Sequence, residues 1–406
     1  MKNNLPDLTE IKSTSERDEN RVFTPKLDSE SVPVQWIRGA GISLFEIPIK
    51  ISVALVPLFT AILLLAAGCA TQNKAAKKNY YFFPPPPDEP HLQFLTAFSS
   101  ERDLRGGHNT TFRTYLTGET LPSKEIGKPY GAAAHDKKLY VCDTDLAAVL
   151  VVDWAKNQMH MMGAQGEGTL KVPLNIAIDS DGTSYVADSG REQVVIFDQN
   201  ENFVSAMGKI GEMKPRDVAL GKDRIYVADL LGRCVRVFDK ATRAPLFSIP
   251  KSSDAKTDGG QLFTPTNLAL DSQGNLYVAD TGAFCVRVYD ADGNYVRTVG
   301  GAGDGAGQFA RVKGIAVDRQ NRLYAVDAMS QVVQIFNDKG QVLTYFGEPL
   351  SGPNIQNLPA KVLVDYDDIG FFQNYAAPGF QIDHLVIVIN QLGSHKVSVY
   401  GFGQKK

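Results

Sequence analysis

Short apolar runs alternate with turn signals from about residue 129 to the end of the chain. Each run holds a few residues rich in Val, Ile, Tyr and Phe, and the segments between the runs carry turn sequences such as D-S-Q-G and D-A-D-G. Apolar runs of this length, bounded by Gly, Asp, Asn and Ser, are typical of β-strands. The pattern therefore predicts an all-β domain.

The strand pattern repeats in a fixed register. In five copies an Asp closes the second apolar run, and nine residues later a large apolar residue ends the third run. A fourth run follows, as in NFVSAMG and NYVRTVG. A sixth copy, HLVIVINQLGSHKVSVYG, is degenerate and has Asn390 in place of the Asp. The five aspartates are Asp143, Asp188, Asp229, Asp280 and Asp327.

Four antiparallel strands in a repeat of roughly 40 to 50 residues form one blade of a β-propeller. Six copies therefore predict a six-bladed β-propeller of four-stranded antiparallel blades, spanning residues 91–404. The sixth copy lacks a fourth strand of its own, whereas HLQFLTAFSS at 91–100 has the pattern of one and precedes the first copy. We expect this N-terminal strand to pair with the sixth blade and close the ring, which removes the open sheet edges.

An apolar segment that ends on a cysteine lies ahead of the propeller. The segment ISVALVPLFTAILLLAAGC follows Lys50, runs from Ile51 to Cys69 and closes with small residues. It resembles a bacterial lipoprotein signal peptide, which implies a signal peptide over 50–68 and a lipid-acylated Cys69 as the mature N-terminus. An uncleaved membrane helix is the alternative, because the apolar stretch approaches spanning length once residues 42–49 are added. Either structure attaches the chain to a membrane.

Two further segments flank the signal. Residues 1–49 are polar, mixed in charge and long for the start of a signal peptide, which a start codon assigned too early would explain. Residues 69–90 form the expected tether, in which the four prolines at 84–87 favour an extended polyproline II spacer. The lipoprotein resemblance places the protein in the bacterial cell envelope. Because Ala70 and not Asp follows the cysteine, it implies the outer membrane if the host is Gram-negative.

The LYVAD runs, the V-x-V-[FY]-D runs and the proline-containing connections are similar to the NHL repeat family. Together with the signal and the spacer YYFFPPPPDEP, they resemble six-bladed propeller lipoproteins of bacterial envelopes. We expect a rigid scaffold that binds an envelope protein or a small ligand, without a cofactor. NHL-type propellers also include enzymes, so a lactonase-like or lyase-like metal enzyme is an alternative, and an accessory subunit of an export or electron-transfer assembly is another. We favour binding over catalysis.

Composition excludes one class of partner. The chain has a net charge of −3, a pI near 6.1 and no long basic run. A protein that binds nucleic acid through its phosphates carries a basic patch. No nucleic-acid partner is expected.

The propeller topology predicts where a site would lie. The turns between second and third strands and the joints between blades share one face, here the top face, whereas the D-S-Q-G hairpins lie on the bottom face. Side chains at the start of each innermost strand should crowd the mouth of the central channel on the top face, where propellers usually bind ligands. Aligning the joints on their prolines gives the candidate ligand-binding residues Tyr130, Asn175, Arg216, Asp217, Asn267, Lys313 and Lys361.

These candidates support two kinds of ligand. Asn175, Asp217 and Asn267 come from three consecutive blades, and their oxygens suit calcium or magnesium, as in the comparable set of gluconolactonase-type propellers. Asn and Asp at a strand start also commonly bond their own backbone, which needs no ligand. The basic candidates on the same rim favour an anionic ligand or an acidic partner; they are Arg216, Lys313 and Lys361.

Other conspicuous residues have structural explanations. An Asp that recurs in every blade is expected to accept backbone N–H groups in the turn after it, so no catalytic residue is assigned. The scattered histidines do not favour a zinc site. Cys234 and Cys285 occupy equivalent positions in adjacent blades, which predicts free, buried thiols.

The glycine-rich segment GGAGDGAGQF, at 300–309, matches the loose form of a dinucleotide-binding motif. A strand pattern follows it, whereas that motif requires a helix. It is therefore predicted to be a joint between blades, like three other connections in the repeat. The apolar residues expected to be buried in these joints are Phe309, Leu170, Met213 and Phe263.

Overall fold

A computed structural model describes residues 79–85, 88–89, 91–105, 123–251, 260–347 and 355–405. The predicted extension at 1–49, the signal peptide at 50–68 and Cys69 lie outside the described residues. The propeller belongs to one compact unit, 77–406. Within the described ranges, none of the helices has the length and apolar character needed to span a bilayer.

The described residues form six antiparallel sheets, of which five have four strands each. Each of these five sheets uses four consecutive strands, ordered from the channel outward. They are β3 Pro129–His135, β4 Lys138–Asp143, β5 Ala148–Asp153 and β6 Gln158–Met162 in blade one; β7 Pro173–Ile178, β8 Ser184–Asp188, β9 Gln193–Phe197 and β10 Phe203–Met207 in blade two; β11 Pro215–Leu220, β12 Arg224–Asp229, β13 Cys234–Asp239 and β14 Pro245–Ile249 in blade three; β15 Pro265–Leu270, β16 Leu276–Asp280, β17 Cys285–Tyr289 and β18 Tyr295–Val299 in blade four; and β19 Val312–Val317, β20 Leu323–Asp327, β21 Val332–Phe336 and β22 Val342–Phe346 in blade five.

The sixth sheet joins the two ends of the propeller and has five strands, which from the channel outward are β23 Pro359–Asp365, β24 Phe380–Asn390, β25 Val397–Lys405, β2 Leu92–Phe98 and β1 Tyr81–Phe83. The pairing of β2 with β25 confirms that an N-terminal strand closes the ring. Two four-residue helices and a 3-10 turn complete the described elements. The helices are α1 Glu101–Leu104 and α2 Ile369–Phe372, and the 3-10 turn is Gln373–Tyr375.

The innermost strands β3, β7, β11, β15, β19 and β23 contact one another in a closed circle, so the blades surround a channel in chain order. The apolar core lies between adjacent blades. Tyr140 and Val149 of blade one, for example, pack with Ile176 and Val186 of blade two. This arrangement confirms the predicted six-bladed β-propeller of four-stranded antiparallel blades, with one addition.

The addition is β1, which lies in the segment predicted as a spacer. Tyr81–Phe83 pairs with β2 as a fifth strand, and the Phe83 ring packs against Phe346 of blade five and Tyr400 of blade six. The propeller sheet therefore begins about ten residues before the predicted boundary at 91.

The repeated Asp holds two loops together. The buried carboxylate of Asp188 accepts hydrogen bonds from the backbone N–H groups of Lys171 (2.6 Å) and Val172 (2.9 Å) in the preceding joint, and from those of Gly190 (2.9 Å) and Arg191 (3.0 Å) in the following turn. The other four aspartates also accept N–H groups from the preceding joint, and Asp143, Asp229 and Asp327 accept them from the following turn as well. The structural role predicted for this residue is confirmed, and the carboxylate also fixes the joint.

The glycine-rich segment 300–309 is a joint, as predicted. Gly300 and Gly307 have φ near +80°, and the fully buried ring of Phe309 lies where a side chain on Gly300 would collide with it. The equivalent prediction for Phe263 is wrong, because its ring is 46% exposed and the preceding Leu262 is buried instead. Leu262 stands three residues before its strand-opening proline, the spacing that Leu170 has in its own joint.

The described cysteines, Cys142, Cys234 and Cys285, are free thiols, as predicted for the last two. Cys285 is buried, and burial raises the pKa of its thiol to about 11. Cys234 is only half-buried, contrary to the prediction, because a turn at the top face leaves it near solvent.

Candidate functional site at the top mouth of the channel

Every innermost strand carries a β-bulge close to its first residue. In β11, Pro215 pairs with Asp229 and Asp217 pairs with Ala228, so Arg216 is an extra residue without a partner in the ladder. The register shifts at the same place in β3, β7, β15, β19 and β23. A bulge bends the strand and redirects its side chains. Two rings of residues result, one on the rim of the mouth and one within the channel.

We call the inner ring the channel belt and the outer ring the rim. The belt consists of Gly131, Asn175, Asp217, Asn267, Gly314 and Lys361. The rim consists of Tyr130, Leu174, Arg216, Thr266, Lys313 and Ala360. The seven residues predicted from the sequence all belong to one of these two rings.

Asp217 is the centre of the channel belt and is fully buried. Its Oδ1 accepts the backbone N–H of Val218 at 2.8 Å. Its Oδ2 accepts the backbone N–H of Leu268 at 2.9 Å, the Nδ2 group of Asn267 at 3.3 Å and the Nζ group of Lys361 at 3.2 Å. The carboxylate is thus fully engaged by groups of the protein.

The ion pair between Asp217 and Lys361 crosses the channel. Asp217 belongs to blade three and Lys361 to blade six, which face each other in a ring of six. The belt has no room for further side chains, because a Cβ on Gly131 would overlap the Asn175 carboxamide and one on Gly314 would overlap the backbone of Lys361. The ion pair therefore closes the channel just below the mouth.

Three rim side chains from alternate blades converge above this closure. The guanidinium of Arg216 lies 5.6 Å from the ring centroid of Tyr130, and the Nζ atom of Lys313 lies 5.0 Å from the same centroid. Arg216 also donates a hydrogen bond through Nη2 to the Tyr130 hydroxyl at 3.1 Å. We call Tyr130, Arg216 and Lys313 the rim cluster.

The rim cluster has an excess of positive charge. Lys313 is only 6% exposed, and within the described ranges its ammonium has one long hydrogen bond, to Gln391 Oε1 at 3.5 Å. Burial, followed by the positive charges of Arg311, Arg216 and Lys128, lowers the pKa of Lys313 to about 8. Among the described residues, neither Lys313 nor Arg216 forms an ion pair, and the buried Nε of Arg216 has no hydrogen-bond partner. The mouth therefore holds two cationic side chains that no carboxylate of the described residues neutralises.

The belt does not fit a divalent cation as it is arranged. Asn267 presents its NH2 group, not its oxygen, to Asp217, and the Lys361 ammonium forms an ion pair with the Asp217 carboxylate. Asn175 donates its NH2 group to the Arg216 carbonyl at 3.0 Å. The Oδ1 atoms of Asn175 and Asn267 are buried without a partner among the described residues, but the ammonium already supplies the positive charge that a metal would bring.

Three cavities of about 450, 580 and 610 Å³ lie on the bottom face, where the sequence suggested no site. Two of them share His91, Arg322 and Phe402, and the Arg322 guanidinium lies 4.2 Å from the Phe402 ring centroid while its Nε donates to Asp318 at 2.5 Å. The third contains Asp368, whose pKa is raised to about 7 by burial and by the negative charge of Asp365. These residues lie outside the repeat positions that the joint alignment compares: Arg322 follows a hairpin, Asp368 belongs to the blade-six insertion, and His91 and Phe402 lie on the strands that close the ring.

Comparison with known proteins agrees with the fold. Residues 257–361 match the model of the DUF5128 family, described as a 6-bladed beta-propeller. A structural genomics protein of unknown function from Bacteroides thetaiotaomicron superposes with a TM-score of 0.50 at 17% identity, over 70% of this chain and 71% of that one.

Two solved enzymes are also similar in shape. A gluconolactonase from Xanthomonas campestris gives a TM-score of 0.48 at 14% identity, over 78% of this chain and 90% of its own. The virginiamycin B lyase from Staphylococcus aureus gives 0.44 at 11% identity, over 68% and 85%. At TM-scores below 0.5 and identities this low, neither enzyme carries an argument about the activity of this chain. The sheet order, the closed circle of inner strands and the family match together identify this chain as a six-bladed β-propeller.

Proposed function

We propose that this protein is an NHL-type propeller lipoprotein of the bacterial cell envelope that binds an anionic group at the top mouth of its channel. The rim cluster carries this proposal, because it holds an ammonium and a guanidinium beside one tyrosine ring, and no carboxylate in the described part of the chain pairs with them. Arginine and lysine in this setting commonly bind carboxylate or phosphate oxygens. Arg216 is half-buried, so part of its guanidinium faces the solvent.

The mouth suits binding better than catalysis. The only carboxylate of the belt, Asp217, is engaged by four donors and lies beneath the rim cluster. A general base must reach the proton that it removes, and Asp217 is fully buried. The proposed role is therefore that of a rigid binding module held at the membrane by a lipid on Cys69, with the top face directed to an anionic ligand or acidic partner.

Anion binding can be tested by calorimetric titration with inorganic phosphate, citrate and a short poly-glutamate peptide at low salt. We expect at least one of them to bind the wild type and to bind Arg216→Met severalfold more weakly, since a charge-assisted hydrogen bond is lost. Arg319→Met is the matched control, because Arg319 is exposed on the bottom face over the Tyr366 ring. Equal weakening in both variants, or no binding of any probe, would contradict the proposal.

The metal-dependent alternative has one observation in its favour, the two unpartnered amide oxygens beside Asp217. Calcium chloride titrated into the chelator-treated protein tests it in the same instrument. Stoichiometric binding that disappears in Asn175→Ala would favour a metal site over the anion site, whereas heat of dilution alone would eliminate calcium from the mouth.

Lipid attachment at Cys69 has its own expected result. Cells expressing the full chain and grown with an alkyne-tagged fatty acid should label the wild type and the Cys234→Ser control, but not Cys69→Ser. Membrane association that persists in Cys69→Ser without label would favour the uncleaved helix in place of the lipoprotein signal.

A further inference from the structure

Exposed apolar side chains form an incomplete ring on the top face. These residues lie in the turns between second and third strands and in the joints, and their side chains are between 40% and 77% exposed. A turn or joint of blades three, four, five and six contributes to this ring. The six most exposed members, here called the apolar ring, are Ile210, Met329, Leu231, Leu392, Phe263 and Phe284.

The apolar ring and the rim cluster occupy one face and differ in chemistry. Large apolar side chains that are exposed together on a single face commonly mark a surface that another protein covers. Tyrosine and arginine, which dominate the energetics of protein interfaces, lie at the centre of this face as Tyr130 and Arg216. The face therefore has a cationic centre with an apolar surround.

The occupant fits a protein better than an enclosed small molecule. The ion pair of Asp217 and Lys361 closes the channel under the rim cluster, so a ligand at the mouth cannot sink into the channel. The cavities described above lie on the opposite face. A shallow cationic centre with apolar flanks is instead complementary to a protein partner on which an acidic side chain protrudes between apolar side chains.

Hydrogen bonds also restrict the loops of the top face before any partner binds. The carboxylates of Asp229 and Asp327 hold the turns that carry Leu231 and Met329 to the neighbouring joints, which restricts the backbone conformations of these loops. Rigid loops lose little conformational entropy when a partner binds, which leaves more of the contact energy as affinity. The repeated Asp thus serves the surface as well as the blade.

We infer that the top face docks a protein segment in which an Asp or Glu side chain enters the rim cluster while flanking apolar side chains rest on the apolar ring. This inference rests on the proposed anion site and goes beyond it by naming the partner chemistry. An acidic tip between apolar residues is complementary in both charge and polarity to the centre and the surround.

Three capped heptapeptides test the inference by fluorescence anisotropy. The first has the order Leu-Phe-Gly-Glu-Gly-Phe-Leu, the second replaces Glu by Gln, and the third replaces each Leu and Phe by Ala. We expect the first to bind the wild type at least fivefold more tightly than either of the others. The variant Leu231→Ser/Met329→Ser should lose the preference of the first peptide over the third, since the apolar contact is gone.

The control variant is Val296→Ser/Leu343→Ser, which removes two exposed apolar side chains from the outer strands β18 and β22 and should bind like the wild type. Equal binding of the first and third peptides, with no effect of Leu231→Ser/Met329→Ser, would overturn the docking inference and leave the anion site intact. If neither the glutamate peptides nor phosphate and citrate bind, the proposed function itself fails.

Discussion

Replacing Lys361 by Met is expected to destabilise the folded propeller by about 3–5 kcal/mol. Asp217 would then be a fully buried carboxylate without its counter-ion, and removing one partner of a buried ion pair leaves the full desolvation cost of the other. The urea concentration at the midpoint of unfolding should be lower than in the wild type. It can be measured by circular dichroism and by the fluorescence of Trp154, which is buried between Phe98 and Phe372.

The double variant Asp217→Asn/Lys361→Met separates charge from packing. The carboxamide introduced at position 217 would keep one acceptor oxygen, which can serve the N–H group of Leu268, and would give up the acceptor of the Val218 N–H group while removing the buried charge. The double variant should therefore recover most of the lost free energy of unfolding. If it were as unstable as Lys361→Met, packing of the lysine stem, and not the ion pair, would hold the channel closed.

The second large effect concerns Lys313 and anion binding. Because the pKa of Lys313 is lowered to about 8, its ammonium loses its proton as the pH rises from 7 to 9. We expect anion affinity at the mouth to fall about tenfold over this range, which corresponds to the loss of roughly 1.4 kcal/mol. Lys313→Met should bind weakly at pH 7 and show no further loss by pH 9.

Deprotonation of Lys313 at rising pH weakens anion binding but increases the free energy of unfolding. Burial and the cations Arg311, Arg216 and Lys128 favour the neutral amine in the folded state, whereas the unfolded chain keeps the ordinary pKa of 10.5. The unfolded state therefore binds more protons between pH 8 and 10.5, and the free energy of unfolding rises with pH in this window. Lys313→Met should lack this rise and should be more stable than the wild type at pH 7, by about 2 kcal/mol.

Urea titrations at pH 7, 8, 9 and 10 on the wild type and Lys313→Met measure this difference. Lys128→Met is a useful comparison, since it removes a neighbouring charge but keeps the amine. A pH profile identical in wild type and Lys313→Met would show that the ammonium of Lys313 is solvated well enough to keep its ordinary pKa.

The fold could be predicted from the sequence because every blade repeats the same local signals. The Asp that ends each second strand is visible as a period, and its contacts to the turn and the joint follow from that position. The strand β1 was not predicted, because YYFF is short and precedes four prolines, and its pairing with β2 depends on Phe83 finding Phe346 and Tyr400, residues more than 260 positions away.

The positions of the rim and belt residues could be predicted from the sequence, whereas the contacts between their side chains could not. Aligning the joints on their prolines located the rim and belt residues, since the repeat fixes where each inner strand begins. The reach of Lys361 across the channel to Asp217 depends on the bulges and on the space left by Gly131 and Gly314, which no local pattern encodes. The burial of Leu262 in place of Phe263 likewise depends on the folded joint, because Met213 stands at the same distance from its proline as Phe263 and is buried.

The short strand β1 also determines how a pulling force would reach the propeller. Any tension along the chain from its N-terminal side arrives at Tyr81 before it arrives at β2, the strand that closes the ring. Because β1 is the outermost strand of blade six, its three residues would separate from the sheet first. The segment that precedes the propeller would then lengthen while β2 stays paired with β25. Under a pulling force the pairing of β1 with β2 would thus break before the pairing of β2 with β25 that closes the ring.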